Sequence, residues 1–211
     1  QRKGKYMEYK IKSFRHGEVI LNNVPAYSEV WNELLEAVQS ITDEELIQHH
    51  KDNPRRAKSI SESINNLLKI KLVSLCWNEE SYIFQDDEYT GNRWRLDFAK
   101  GSISVEVAFN HGEAIAWNLL KPVLAGELNH VKKEINTDVG VIICATKELK
   151  DKGGFDGAVG EFEKFLTYLD PLRDVLTVPI VIIGLEAPKT FEINVEKVDG
   201  KNIGIVHRLN V

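Results

Sequence analysis

Asp97 and Glu106 flank a turn signal, Lys100-Gly101, and are the two acids of this chain best spaced to share a cation. Residues 93–98 read as one strand and residues 103–109 as the next. In the second run Ile103, Val105, Val107 and Phe109 alternate with Ser104, Glu106 and Ala108. The alternation sends the first set into a core and leaves the second on a more polar face. With Lys100-Gly101 as a two-residue turn, Asp97 faces Ser104, and Glu106 is its diagonal neighbour at roughly 7–8 Å between Cα atoms. Carboxylates so placed can meet on one hard cation, because Mg²⁺ is held by one or two carboxylates and phosphate oxygens at roughly 2.0–2.1 Å. The competing account is a solvated hairpin edge.

The order of these residues adds a likeness. Leu96-Asp97-Phe98 is followed, eight residues on, by Glu106 within Val105-Glu106-Val107-Ala108-Phe109, and then by a long amphipathic helix. In this the chain resembles the type II restriction endonucleases of the BglII/BstYI, BamHI-like group, within the PD-(D/E)XK nuclease superfamily. The likeness continues through residues 138–146 and 178–185 and weakens toward both ends. It implies an α/β fold, a single domain over 1–211 with a central mixed β-sheet flanked by helices and a catalytic hairpin. It implies a Mg²⁺ site made by Asp97, Glu106 and the carbonyl of Val107, with Glu80 (or its neighbour Glu79) joining from the end of a preceding helix. Double-stranded DNA is the expected partner, contacted by Asn110 and His111 and by residues 150–156, which include Lys150 and Lys152. The resemblance further implies a homodimer cutting a palindrome that contains GATC, a partner DNA methyltransferase, and hydrolysis leaving a 5′-phosphate.

One position departs from the pattern. Two residues after the glutamate the family carries Lys, Glu or Gln, and here stands Ala108. Three explanations stay open. A lysine of the following helix (Lys121, Lys132 or Lys133, with Lys132 taken as the catalytic candidate) points back into the site. Alternatively Glu79, Glu80 or a metal-bound water takes the role, or the chain has lost its activity and only binds DNA or a partner. A structure-selective repair nuclease on the same fold is a further alternative.

The elements that must position these residues fit one sizeable core in 211 residues. A net charge of −5 excludes a grossly basic or disordered chain, yet permits a DNA enzyme whose positive potential is confined to one groove. The densest basic cluster, Arg55-Arg56-Ala57-Lys58, precedes a helix and is either a phosphate contact or a solvated turn. His49 and His50 are adjacent on a helix, do not share a face, and read as a solvated helix end. No apolar run is long enough to span a bilayer and no signal peptide is read, so the cytoplasm is the expected compartment, without membrane contact. Cys76 and Cys144 match no zinc spacing and read as buried thiols. Residues 1–6, ahead of the only methionine, Met7, are read as an expression remnant or flexible arm.

Along the chain, residues 9–21 read as a strand, and a helix capped by Ser28 carries Val30, Trp31, Leu34, Leu35 and Val38 on one face. Residues 82–84 read as a short strand, and 114–135 as a helix interrupted or opened by Pro122, with Leu120, Leu124, Leu128, Val131 and Ile135 as its buried stripe. Residues 139–145 and 179–185 read as strands buried on both faces. Residues 147–157 read as a loop with an exposed Phe155, and 158–169 as a helix. A hairpin around Asp199-Gly200 closes the chain. Phosphate-binding glycine loops, a nucleophile elbow and Cys-x-x-Cys are all absent from the sequence.

Overall fold

Residues 139–145 and 180–185 carry no charged side chain and are mostly Val and Ile, which suits strands covered on both faces. The computed structural model describes residues 6–53, 57–85, 87–89, 91–127 and 136–210. The chain opens with β1 (Tyr9–Phe14) and four helices, α1 (Gly17–Asn23), α2 (Pro25–Gln39), α3 (Asp43–Asp52) and α4 (Ser61–Ser74). Strands β2 (Asn78–Tyr82), β3 (Arg95–Lys100) and β4 (Ile103–Val107) follow, then α5 (Ile115–Glu127) and β5 (Val139–Ala145). The remainder is α6 (Lys147–Lys152), α7 (Phe162–Leu169), β6 (Ile180–Leu185), and the hairpin β7 (Phe191–Val198) and β8 (Lys201–Arg208). Six strands make one mixed sheet in the order β1-β6-β5-β4-β3-β2, in which β4, β5 and β6 run parallel and the outer strands antiparallel.

Period-two alternation divides the core between the two faces. Ile103, Val105, Val141, Ile143, Val181 and Ile183 pack against Trp31, Leu34, Ile64 and Leu68 of α2 and α4. Their neighbours Ile142, Cys144, Ile180 and Ile182 pack against Ile115 and Leu119 of α5 and Phe162 and Phe165 of α7. Helix α5 rides close to the sheet because β5 offers Gly140 beneath it: a Cβ there would lie 2.4 Å from Pro122 Cβ. Among the described residues no helix is long and apolar enough to cross a membrane.

Several local expectations change. Val19, Ile20 and Leu21 belong to α1, where Leu21 is buried at helical spacing from Gly17. Helix α2 starts at Pro25, a residue suited to the first helical position, so Ser28 lies inside it and is no cap. The strand at 82–84 ends at Tyr82, and Ile83 and Phe84 turn into a small cluster with Leu96. Residues 147–152 are helical because Thr146 Oγ1 accepts the Leu149 amide as an N-cap. Phe155 is buried edge-on against Phe109. Residues 158–160 are not helical and α7 begins only at Phe162. In α5 the deepest residues are Ile115, Leu119 and Ala125, with Leu120 and Leu124 only partly buried. Residues 128–135, with Leu128, Val131, Ile135, Lys132 and Lys133, lie outside the described residues, as do Arg55 and Arg56. His50 is buried with Nε2 bonded to the Gly204 carbonyl, and His49 bonds Ser63, so neither is merely solvated. Cys144 is buried and Cys76 is exposed.

Candidate active site

The hairpin of β3 and β4 turns at Gly101-Ser102, one residue later than Lys100-Gly101. Lys100 pairs with Ile103, Ala99 with Ser104 and Phe98 with Val105. Gly101 takes φ 55, and a two-residue turn whose first position needs positive φ selects glycine there. Continued by one step, this register sets Asp97 directly across from Glu106 instead of Ser104. The two acids are therefore facing neighbours and not diagonal ones.

Beyond Phe98 and Val105 the regular pairing stops, and the acids take over the backbone groups. Asp97 Oδ2 accepts the Val107 amide at 2.7 Å, and Glu106 Oε1 accepts the Asp97 amide at 3.3 Å. The even-numbered face of β4 is not the polar, open face expected: Ser104 and Ala108 are buried and Glu106 is only 2 % exposed, because α5 covers them. From α5, Lys121 Nζ donates to Glu106 Oε2 at 2.6 Å.

Burial dominates the electrostatics of both acids. It raises Asp97 above the ordinary carboxylate range, opposed by the Val107 amide and the Lys121 charge and reinforced by Glu80. Glu106 is pushed up to about 8, by burial first and the Asp97 charge second, against the pull of Lys121 and the Asp97 amide. A buried carboxylate pair of this kind favours a bound cation, since added positive charge relieves both causes.

A cleft of about 270 Å³ opens beside Asp97 and Val107, with Asn65, Asn66 and Lys69 of α4 on one wall and Glu79 and Glu80 of β2 on another. Glu79 pairs with Lys69 at 2.6 Å, and Glu80, at φ 49, reaches Arg95 at 3.2 Å. Glu80 thus stands close enough to perturb Asp97 while its carboxylate is drawn to an arginine. Among the described residues no three His, Cys, Asp or Glu side chains gather as a metal cluster. The donors on hand are two carboxylates and a backbone carbonyl, a set that fits a hard divalent cation completed by water and phosphate. Asn65, Asn66 and Lys69 were not singled out from sequence; they alternate with the buried Ile64, Leu67 and Leu68 along α4.

The residues expected to meet DNA divide into two groups. Asn110 and His111 are both exposed, and Asn110 Oδ1 accepts from Asn118. Residues 110–112 are stitched to 158–160: Gly160 donates to the Asn110 carbonyl at 3.0 Å and Gly112 to that of Ala158 at 2.8 Å. On the same side Lys58 pairs with Asp156 at 3.3 Å. Lys150 is turned away, held by Glu161 at 2.6 Å and largely covered, and Lys152 pairs along α6 with Glu148.

A mixed sheet whose antiparallel arm carries two opposed acids, backed by one helix layer on each face, is a nuclease architecture of the restriction-endonuclease class. The chain belongs to the family described as Restriction endonuclease BglII/BglIII, whose model matches residues 9–185. It is accordingly a type II site-specific deoxyribonuclease. The fold is similar to that of restriction endonuclease BglII in a crystal structure with a DNA 16-mer, at 20% identity and a TM-score of 0.63 over 96% of this chain and 91% of that one. It is similar also to free BglII, at 19% identity and a TM-score of 0.55 over 96% and 95% of the two chains. No curated protein sequence matches the chain.

Proposed function

We propose that this chain hydrolyses phosphodiester bonds of double-stranded DNA with Mg²⁺ held by Asp97, Glu106 and the Val107 carbonyl, as a homodimer cutting a short palindrome. The observation that carries the reading is the placing of the buried Glu106 across from Asp97, which borders a cleft. Bound there, Mg²⁺ supplies positive charge for the developing phosphorane and lowers the pKa of an attacking water. The chain's own groups do the rest. Asp97 and Glu106 are fixed by the backbone amides they accept, so their oxygens are preorganised. Helix α5 seals the inner side of the pair from solvent, and Glu80 borders the outer side.

DNA is gripped on the surface where residues 110–112 and 158–160 meet, with the exposed Asn110 and His111 and the half-buried Lys58 as its donors. Arg55 and Arg56 extend the same segment as Lys58 in sequence. A single centre cuts one strand, so cutting both strands of a palindrome calls for two copies about a two-fold axis. A GATC-containing target, a paired methyltransferase and a cytoplasmic site of action follow from the family reading.

Unmethylated plasmid incubated with purified protein and MgCl₂ tests this. Discrete fragments, abolished by EDTA, with a dimeric mass in solution, are expected. Intact DNA that is nevertheless retarded in a gel would mark a chain that binds without cutting. Cuts confined to junctions would mark a structure-selective nuclease.

A further inference from the structure

Lys121 is a charged residue on the covered side of α5, 8 % exposed, flanked by Leu120 and Pro122. A helix face laid on a sheet ordinarily places an apolar side chain at such a position. A buried ion pair is seldom more stabilising than an apolar pair of similar volume, so packing alone gives no reason for an ammonium here. Its observed partner is Glu106, through Oε2 at 2.6 Å, while Oε1 of the same carboxylate faces Asp97. An ammonium has three N–H donors, and this contact uses one.

We infer that Lys121 is a catalytic residue: one N–H holds Glu106 in place, and a second is offered to a non-bridging oxygen of the scissile phosphate. This rests on Asp97 and Glu106 being the cutting centre. In the step itself the water oxygen bonds to phosphorus and the bond from phosphorus to O3′ breaks, its electron pair staying on O3′. The proton lost by water passes to solvent and O3′ is protonated from solvent, so Lys121 keeps its three protons throughout. Its part is to stabilise negative charge on the phosphoryl oxygens.

Lys121→Met and Lys121→Arg test the inference, with Mn²⁺ affinity measured by calorimetry in the absence of DNA and single-turnover cleavage measured at the mapped site. Expected is a folded Lys121→Met protein that binds Mn²⁺ within about tenfold of the original and cuts at least about 100-fold more slowly. Lys121→Arg, which retains a cationic donor, should recover part of the rate. Adding Ala108→Lys to Lys121→Met should also recover part, because residue 108 shares the face of β4 with Glu106. In the unaltered protein, sulfur in place of one non-bridging oxygen should slow cutting even in Mn²⁺, and Lys121→Met should lose that penalty.

A Lys121→Met protein that cuts at the original rate, or that loses Mn²⁺ binding in step with cutting, overturns the inference and leaves the cutting centre standing. Should Lys121→Met not fold, the unaltered protein decides: no sulfur penalty persisting in Mn²⁺ overturns it equally. An unaltered protein that never cuts removes the cutting centre itself.

Discussion

Asp97 and Glu106 are cross-bonded where their strands part: the aspartate takes an amide from the glutamate's strand, and the glutamate takes the amide of Asp97 itself. Each carboxylate is thus held by a backbone amide, and Glu106 by Lys121 as well. Asp97→Asn and Glu106→Gln should each lower the cleavage rate by at least about a thousandfold. Both should still shift DNA in a gel at low salt, since neither removes a positive charge. Cutting that persists in both variants would reject the site.

Cation binding should depend steeply on pH. Glu106 is pushed up to about 8 in the folded chain against an ordinary 4.5, so over that interval the folded protein holds a proton that the unfolded chain has lost. Rising pH through this window therefore lowers the stability of the metal-free protein and favours the cation that replaces the proton. Mn²⁺ affinity should climb between pH 6 and 8, roughly tenfold per unit, and level off above. Calorimetry in buffers of different ionisation enthalpy should find about one proton released per ion at pH 7. Affinity that is flat across this range would contradict the assignment.

The contact between Gly140 and Pro122 is a second point of control. A methyl group at residue 140 would strike the proline ring and lift α5, the helix that delivers Lys121. Gly140→Ala should destabilise the chain by about 1–3 kcal/mol and slow cutting further than that loss explains at temperatures where the protein remains folded. Denaturant melts alongside single-turnover cleavage would separate the two effects.

Lys150 and Lys58 should behave oppositely although both precede or border the same loop. Lys150→Met breaks a mostly covered bond to Glu161 and should cost about 2 kcal/mol of stability with little change in DNA affinity. Lys58→Ala should leave stability nearly unchanged, weaken binding to all sequences alike, and reduce the salt dependence of binding by about one charge.

The pairing of Asp97 with Glu106 was legible because of parity. Moving the turn from Lys100-Gly101 to Gly101-Ser102 shifts the partner of Asp97 by two residues, from Ser104 to Glu106, and a shift of two leaves the face unchanged. The buried strands were legible for a similar reason: short runs rich in Val and Ile with no charged residue have few other uses. Lys121 was harder to single out, since the sequence offered it beside Lys132 and Lys133 without showing which lysine faces the sheet. Its burial depends on which face of β4 the crossover through α5 covers, and on a glycine in the next strand that lets the helix down. Lys150 was misplaced because a single hydroxyl, on Thr146, turns an expected loop into a helix and aims the lysine inward.

Only Ala108 and Phe109 separate the end of β4 at Val107 from residues 110–112, and those are sewn to 158–160. A footprint change anywhere on that seam would be transmitted to the scissile bond through a few stiff peptide units. Attempts to retarget such an enzyme by exchanging one loop would detune its chemistry at the same stroke. Both halves of the seam would have to be replaced together, as one graft.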